Sequence, residues 1–363
     1  MFEFLETRRL LDATVDASGN LNINGSAAAD TINLALEGTN LRVTIQPENF
    51  NQTFPAGNVN FVVIVAGAGA DTVTVNAAVT ENTQVQAGAG NDTVTGGGGA
   101  DDIRGEDGDD LIDGGLGGDS LAGDTGIDTV TYNSRTVPLN LTFDDVQNDG
   151  ATGENDQLNA TVDIVIGGTG ADTISAVGQT EGRALYGRNG DDTLIGGAGA
   201  DRLNAGVGTD SLDAHAGDDT LLSGTGNDAL AGGAGIDTVT YYYSPAAVTV
   251  NLSGLGAGNG AASEQDTLGD VENAIGSPFA DTISGSPAVV NFLKGLAGDD
   301  TITALGGNDT LWGGNGVDQL LAMNGAVDVV DGGNGLDTGT TDPTDDVTNL
   351  SDDSGGGGTG TGK

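Results

Sequence analysis

The stretch "GRNGDDTLIGGAGADRLNAGVGTDSLDAHAGDDTLLSGTGNDALAGGAGIDTVT", residues 187–240, divides without remainder into six nonapeptides. In every one of them position 4 is Gly and position 6 is Asp (Asp192, Asp201, Asp210, Asp219, Asp228, Asp237), and position 8 is Leu or Val. A helix repeats every 3.6 residues and a strand every two, so a period of nine belongs to a larger unit. Positions 7–9 are long enough only for a short strand, with the position-8 side chain on one face and its neighbours on the other. Positions 1–6 must then reverse the chain. Glycines at positions 1, 2 and 4 permit that reversal, because backbone without a Cβ reaches positive φ and can approach neighbouring backbone closely.

The same frame holds in two further runs. Residues 87–131 give five nonapeptides with Asp92, Asp101, Asp110, Asp119 and Asp128, and residues 295–321 give three with Asp300, Asp309 and Asp318. Beyond Leu321 the frame slips by one residue. A longer period lies above the short one. Asp128 and Asp237 are 109 residues apart, as are Asp172 and Asp281, and between them lie two similar 35-residue inserts, Tyr132–Ile166 and Tyr241–Ile275. Each insert carries an E-x-D-x-L stretch, Glu154–Leu158 and Glu264–Leu268. Ahead of each run, Val85, Leu185 and Leu293 fall where position 8 belongs, without the Gly-Asp turn. These read as rungs that keep the core and lack a metal turn.

Composition narrows the function. The 363 residues include 65 Gly, 10 Lys or Arg and 54 Asp or Glu, a formal charge of −44. So acidic a surface repels nucleic acid and anionic membrane and attracts cations. Cysteine is absent, which removes disulfides and thiolate metal sites. No apolar run reaches the length of a membrane span. With His215 as the sole histidine and no H-E-x-x-H or G-x-S-x-G, the familiar hydrolytic sets are missing, and the reading is non-enzymatic.

These runs resemble the RTX (hemolysin-type) calcium-binding nonapeptide, GGxGxDxUx with U aliphatic. The resemblance implies an all-β fold, a right-handed parallel β-roll or β-helix solenoid, here in about three repeat blocks, in which two nonapeptides make one turn. Core partners across the roll would be Leu194 with Leu203, Leu212 with Leu221, and Leu230 with Val239. Turns on one edge then recur every 18 residues, so an ion belongs between position-6 Asp residues at that separation. The pairs are Asp92–Asp110, Asp101–Asp119, Asp110–Asp128, Asp192–Asp210, Asp201–Asp219, Asp210–Asp228, Asp219–Asp237 and Asp300–Asp318, with Asp309, Asp328 and Asp337 following the slip. Ca²⁺ accepts six or more carboxylate and carbonyl oxygens in flexible geometry, whereas Mg²⁺ demands an octahedron and keeps its waters. One aliphatic side chain per nine residues is a thin core, and stacked acids repel, so ion binding is expected to supply folding energy. The expected stoichiometry is about eight ions.

Other signals are weaker. The segment Asp145–Asp156 partly matches an EF-hand loop but has Gln147 at the third position and ends in Asp156. The terminal "GGTGTGK" fits a phosphate-loop pattern with no Ser or Thr to follow Lys363. His215 reads as an exposed substitution in a turn. Tyr241, Tyr242 and Tyr243 are expected to cover the roll where the second insert leaves it, with sugar stacking as the alternative. Leu5, Glu6, Arg8, Leu10 and Leu11 resemble a segment that opens exported bacterial repeat proteins, and the C-terminal stretch lacks a convincing export signal of the type such proteins use.

The expected organisation is an export-type segment at 1–20, a β cap or degenerate rungs at 21–65, repeat blocks with inserts at 66–175 and 176–284, a third block at 285–340, and a flexible acidic tail at 341–363. The expected role is a secreted, extracellular bacterial scaffold folded by calcium. The alternatives are the folding module of a secreted enzyme, or an adhesin module that binds cell-surface or matrix polysaccharide.

Overall fold

The computed structural model describes residues 12–47, 49–253, 258–287 and 289–350. The chain forms two compact units, Met1–Ser175 and Ala176–Lys363. Among the described residues every element is a strand, apart from a single 3₁₀ turn at Ala56–Asn58. Both units are parallel β-solenoids with an 18-residue turn, as the repeat implied.

In the first unit two parallel ladders alternate along the chain. One column joins Ile64, Val85, Ile103, Leu121 and Leu158 in register, and the other joins Val73, Val94, Ile112, Val130 and Val165. These are the position-8 side chains and their equivalents, and all are buried. The residues at positions 7 and 9 are often Thr, whose branched Cβ suits the pleated surface beside the core. Val85, expected as a core-only rung, sits in register in its column.

The column continues to the N-terminal side of the repeats. Asn20–Asn24 pairs parallel with Phe61–Ala68, and Thr31–Glu37 pairs parallel with Thr72–Val75. These two strands are therefore a rung, with Ile23 and Ile32 in the core. Around them the pattern is antiparallel: Asp12–Val15 lies beside Asn20–Asn24, while Asn40–Gln46 and Phe50–Pro55 extend from Thr31–Glu37 as a meander. This N-terminal part combines parallel rungs with antiparallel strands. The export-type motif at Leu5–Leu11 lies outside the described residues.

In the second unit one column runs Leu185, Leu203, Leu221, Val239, Ala274, Leu293, Leu311, Val330 and Val347. The other runs Leu194, Leu212, Leu230 and Leu268, and a further ladder begins at Val250 and passes through Ile283, Ile302 and Leu320. That fresh start is the work of the insert. Val248–Asn251 folds back antiparallel on Gly260–Ala261 and offers its other edge to Thr282–Ser284. In the first unit Leu139–Thr142 does the same between Gly150–Ala151 and Thr173–Ser175.

One expectation about the C-terminal part changes. Asp346–Thr348, placed in a flexible tail on its acidity, is a strand paired in register with Val329–Asn334. Its Val347 continues the aliphatic column, and pairing with the rung before it outweighs local charge. Residues 351–363 lie outside the described residues.

Candidate metal turns

The position-6 aspartates are buried in both units, none more than about 2% exposed. An ionised carboxylate out of water must be compensated, and the first half of the compensation is visible. Each Asp uses Oδ1 to accept the backbone N–H of the position-6 residue one turn earlier. Asp92 donates to Asp110 at 2.7 Å, Asp101 to Asp119 at 2.9 Å and Asp110 to Asp128 at 2.9 Å. In the second unit Asp192 donates to Asp210, Asp201 to Asp219, Asp210 to Asp228 and Asp219 to Asp237, at 2.7–2.9 Å. Asp300 donates to Asp318 at 2.9 Å. All eight pairs drawn at 18-residue spacing are thus neighbours on one edge. The slip after Leu321 is absorbed, because Asp309 and Asp318 reach Asp328 and Asp337 at a spacing of 19.

The second half of the compensation is missing from the protein itself. Oδ2 of Asp71, Asp92, Asp110, Asp119, Asp128, Asp210, Asp219, Asp228, Asp237, Asp300, Asp309 and Asp318 is buried without a hydrogen-bond partner. A native fold satisfies its buried polar atoms, and a recurrent exception calls for a further partner such as an ion. Asp101 and Asp201 differ, since their Oδ2 accepts the N–H of Gly97 and Gly197 at 2.7 and 2.6 Å.

The glycines shape the space around that oxygen. A Cβ added at Gly105, position 1, would meet Asp110 Oδ2 at 2.0 Å and the Gly123 carbonyl oxygen at 2.8 Å. At Gly108, position 4, φ is +133° and a Cβ would lie 2.0 Å from the Gly90 carbonyl oxygen. Carboxylate oxygens and stacked turn carbonyls therefore share one narrow edge, open only because side chains are absent there.

Burial also raises these carboxyls. Desolvation pushes Asp92, Asp110, Asp128, Asp210 and Asp219 up to about 6, Asp228 and Asp300 to about 7, and Asp119 to about 8, against the lowering effect of the N–H bond each accepts. Like charges one turn away add to the rise, Asp156 on Asp119 and Asp266 on Asp228 among them. Among the described residues no three His, Cys, Asp or Glu side chains gather as a metal cluster. The acids are stacked singly, so a cation here must draw on backbone carbonyls too. An all-oxygen, mixed carboxylate and carbonyl set fits Ca²⁺.

The model of the RTX calcium-binding nonapeptide repeat matches residues 80–112, 95–130, 154–176, 185–212, 207–239 and 290–320. Residues 80–320 carry RTX calcium-binding nonapeptide repeats. Their ion is Ca²⁺, and the RTX roll is a structural calcium-binding fold. No curated protein matches the chain.

Several members of the RTX edge have no signature nonapeptide. Asp119 donates to Asp156 and Asp228 to Asp266, both at 2.9 Å, across 37 and 38 residues. Asp128 donates to Asp163 Oδ2 and Asp237 to Glu272 Oε2, each across 35 residues. The inserts thus rejoin the ladder on both edges. The signal lay in the E-x-D-x-L stretches, whose D-x-L equals positions 6–8 without the glycines. Asp30 and Asp71 extend the ladder towards the N-terminus. In the core-only rungs Thr83, Arg183 and Asn291 donate their N–H to Oδ1 of Asp101, Asp201 and Asp309 from the position-6 place, without a carboxylate of their own.

The remaining sequence signals resolve simply. Asp149 spends its oxygens on the N–H groups of Thr142 and Leu158, so the EF-hand-like segment is a hairpin. His215 has φ +71° in a turn and lies 3.4 Å from Asp213. Tyr241 is buried, its hydroxyl bonded to Asp266, whereas Tyr242 and Tyr243 are exposed and meet edge to face. Among the described residues no helix is long and apolar enough to cross a membrane.

Proposed function

We propose that this protein is a secreted bacterial scaffold, at a surface or in a matrix, whose solenoids fold on meeting extracellular calcium. The ligands would be Asp92, Asp101, Asp110, Asp119, Asp128, Asp192, Asp201, Asp210, Asp219, Asp228, Asp237, Asp300, Asp309 and Asp318, with turn carbonyls completing each site. The observation that carries this reading is the repeated pairing of one satisfied and one orphaned carboxylate oxygen along each edge. Without a cation that arrangement penalises the roll at each turn with an orphaned oxygen, and with one it becomes folding energy. Affinity in the range of about 10⁻⁴–10⁻³ M suits an extracellular module.

Circular dichroism tests it. The chain should hold little β structure in chelator and gain it cooperatively on adding calcium; full β structure in chelator would sink the reading. Calcium-dependent adhesion to cells or polysaccharide, set against hydrolysis of a broad substrate panel, separates a scaffold from part of an enzyme.

A glycan-binding role is the second reading, supported by the exposed Tyr242–Tyr243 pair. Aromatic faces open to solvent are able to stack on sugar rings. Retention on a glycan array, lost in a Tyr242→Ala/Tyr243→Ala double variant with unchanged calcium response, would favour it.

A further inference from the structure

The stacked acids are of two kinds, and the backbone four residues earlier tells them apart. In Asp101, Asp172, Asp201 and Asp281 the protein satisfies both carboxylate oxygens. Oδ1 accepts the N–H of Thr83, Leu139, Arg183 or Val248 in the rung stacked before it, at 2.6–3.0 Å. Oδ2 accepts the N–H of Gly97, Gly168, Gly197 or Ser277, within the acid's own turn, at 2.5–2.7 Å. None of these own-turn donors has a φ in the left-handed region.

Where Oδ2 is orphaned, the same place is left-handed throughout. Positive φ occurs four residues before each such acid, from Gly67 before Asp71 to Gly314 before Asp318. Several of these residues are not glycine: Glu106, Asp124, His215, Leu296 and Leu305 have φ between +70° and +90°. A side chain held there costs conformational energy. Relaxing that residue would turn its N–H onto the bare oxygen, as happens at Asp101. The chain instead keeps a strained turn beside a buried, unpartnered carboxylate oxygen, and the combination calls for a partner from outside the protein.

The two kinds follow an order along each edge. The capped acids stack on a rung with no carboxylate at that place: Thr83, Leu139, Arg183 or Val248. The open acids stack on an earlier Asp or Asn, as Asp119 does on Asp101 and Asp219 on Asp201. Asp30 is capped too, by the Ser26 N–H at 2.6 Å, and its orphan is Oδ1. Farther along, Oδ2 of Asp156 and Asp266 accepts the Tyr132 and Tyr241 hydroxyls, and Oδ2 of Asp328 accepts the Asn324 side-chain amide.

We propose that the backbone at position 2 sorts the turns. Those at positive φ take a calcium ion at Oδ2, whereas the capped carboxylates of Asp101, Asp172, Asp201 and Asp281 take none and clamp the first stacked rungs of each run without calcium. This rests on the calcium reading of the repeats and narrows its ligand set. Asp101 and Asp201 keep only turn carbonyls to offer the ion of the next acid.

The test uses the full chain, with bound calcium counted by equilibrium dialysis and thermal midpoints read at saturating calcium. Asp219→Asn should lose about one ion. Asp201→Asn should keep the wild-type count and lower the thermal midpoint by several degrees, because the new amide group faces one of two N–H donors. Asp119→Asn and Asp101→Asn should repeat the contrast in the first unit. A measurement on the wild type needs no variant to fold: in the calcium-saturated chain the Gly97 and Gly197 amides should be strongly protected from hydrogen exchange. Equal ion loss from Asp201→Asn and Asp219→Asn, or unprotected Gly97 and Gly197 amides, overturns the proposal while leaving the calcium reading in place. A wild-type count of zero overturns the calcium reading itself.

Discussion

A position-6 aspartate does two jobs with two oxygens. Oδ1 of Asp210 accepts the Asp192 N–H and needs no charge to do so, while Oδ2 is buried without a partner. Asp210→Asn keeps a carbonyl acceptor and removes the charge. The expected outcome is a weaker calcium response, with loss of about one or two ions next to position 210, together with a more stable calcium-free roll at pH 7. Calorimetric titration and chelator-state dichroism check both halves. Gly105 gives the complementary prediction. Gly105→Ala places a methyl 2.0 Å from Asp110 Oδ2, so it should cost roughly 1–3 kcal/mol, as overpacking does, and raise the calcium midpoint of folding.

The strands are too short to hold themselves together, and their stability comes from stacking in register. Leu212 lies between Leu194 and Leu230 in one column and is about 1% exposed. Leu212→Ala should therefore cost about 2–5 kcal/mol, seen as a lower thermal midpoint at saturating calcium with the ion count retained. At this scale much was legible from the residues. Aliphatic position 8 gave the strands, and Gly at positions 1, 2 and 4 gave the turns. The rungs at Asn20–Asn24 and Thr31–Glu37 were harder to read, since they lack the glycine turn and their sequence alternates as an antiparallel strand would.

For the whole molecule the raised carboxyls set a pH dependence of definite sign. In the calcium-free protein Asp92, Asp110, Asp128, Asp210 and Asp219 have folded values near 6, above the ordinary 3.8. The folded state then binds protons more tightly than the unfolded one, so its stability is greatest below about 4 and falls as pH rises through about 6. In chelator, β structure measured by dichroism should increase from pH 8 to pH 5. With calcium present the trend reverses, because protons compete for the same oxygens and the calcium midpoint shifts to higher concentration on acidification. Substituting Mg²⁺ should leave the chain largely unfolded at concentrations where Ca²⁺ folds it.

The sequence by itself determined the repeat, the core position and the recurring acid, because each is written within nine contiguous residues, and the resemblance to RTX repeats added the 18-residue neighbour relation. Asp219 stacks with Asp237, and Asp210 with Asp228, as that spacing requires. Only the tertiary structure decided that these acids are buried, that Asp156, Asp163, Asp266 and Glu272 take the same places after long inserts, and that Val347 extends a core column. The physical reason is that a rung recognises its neighbour through space. A backbone N–H bonds to the carboxylate stacked beside it, whether 18 or 38 residues separate them along the chain.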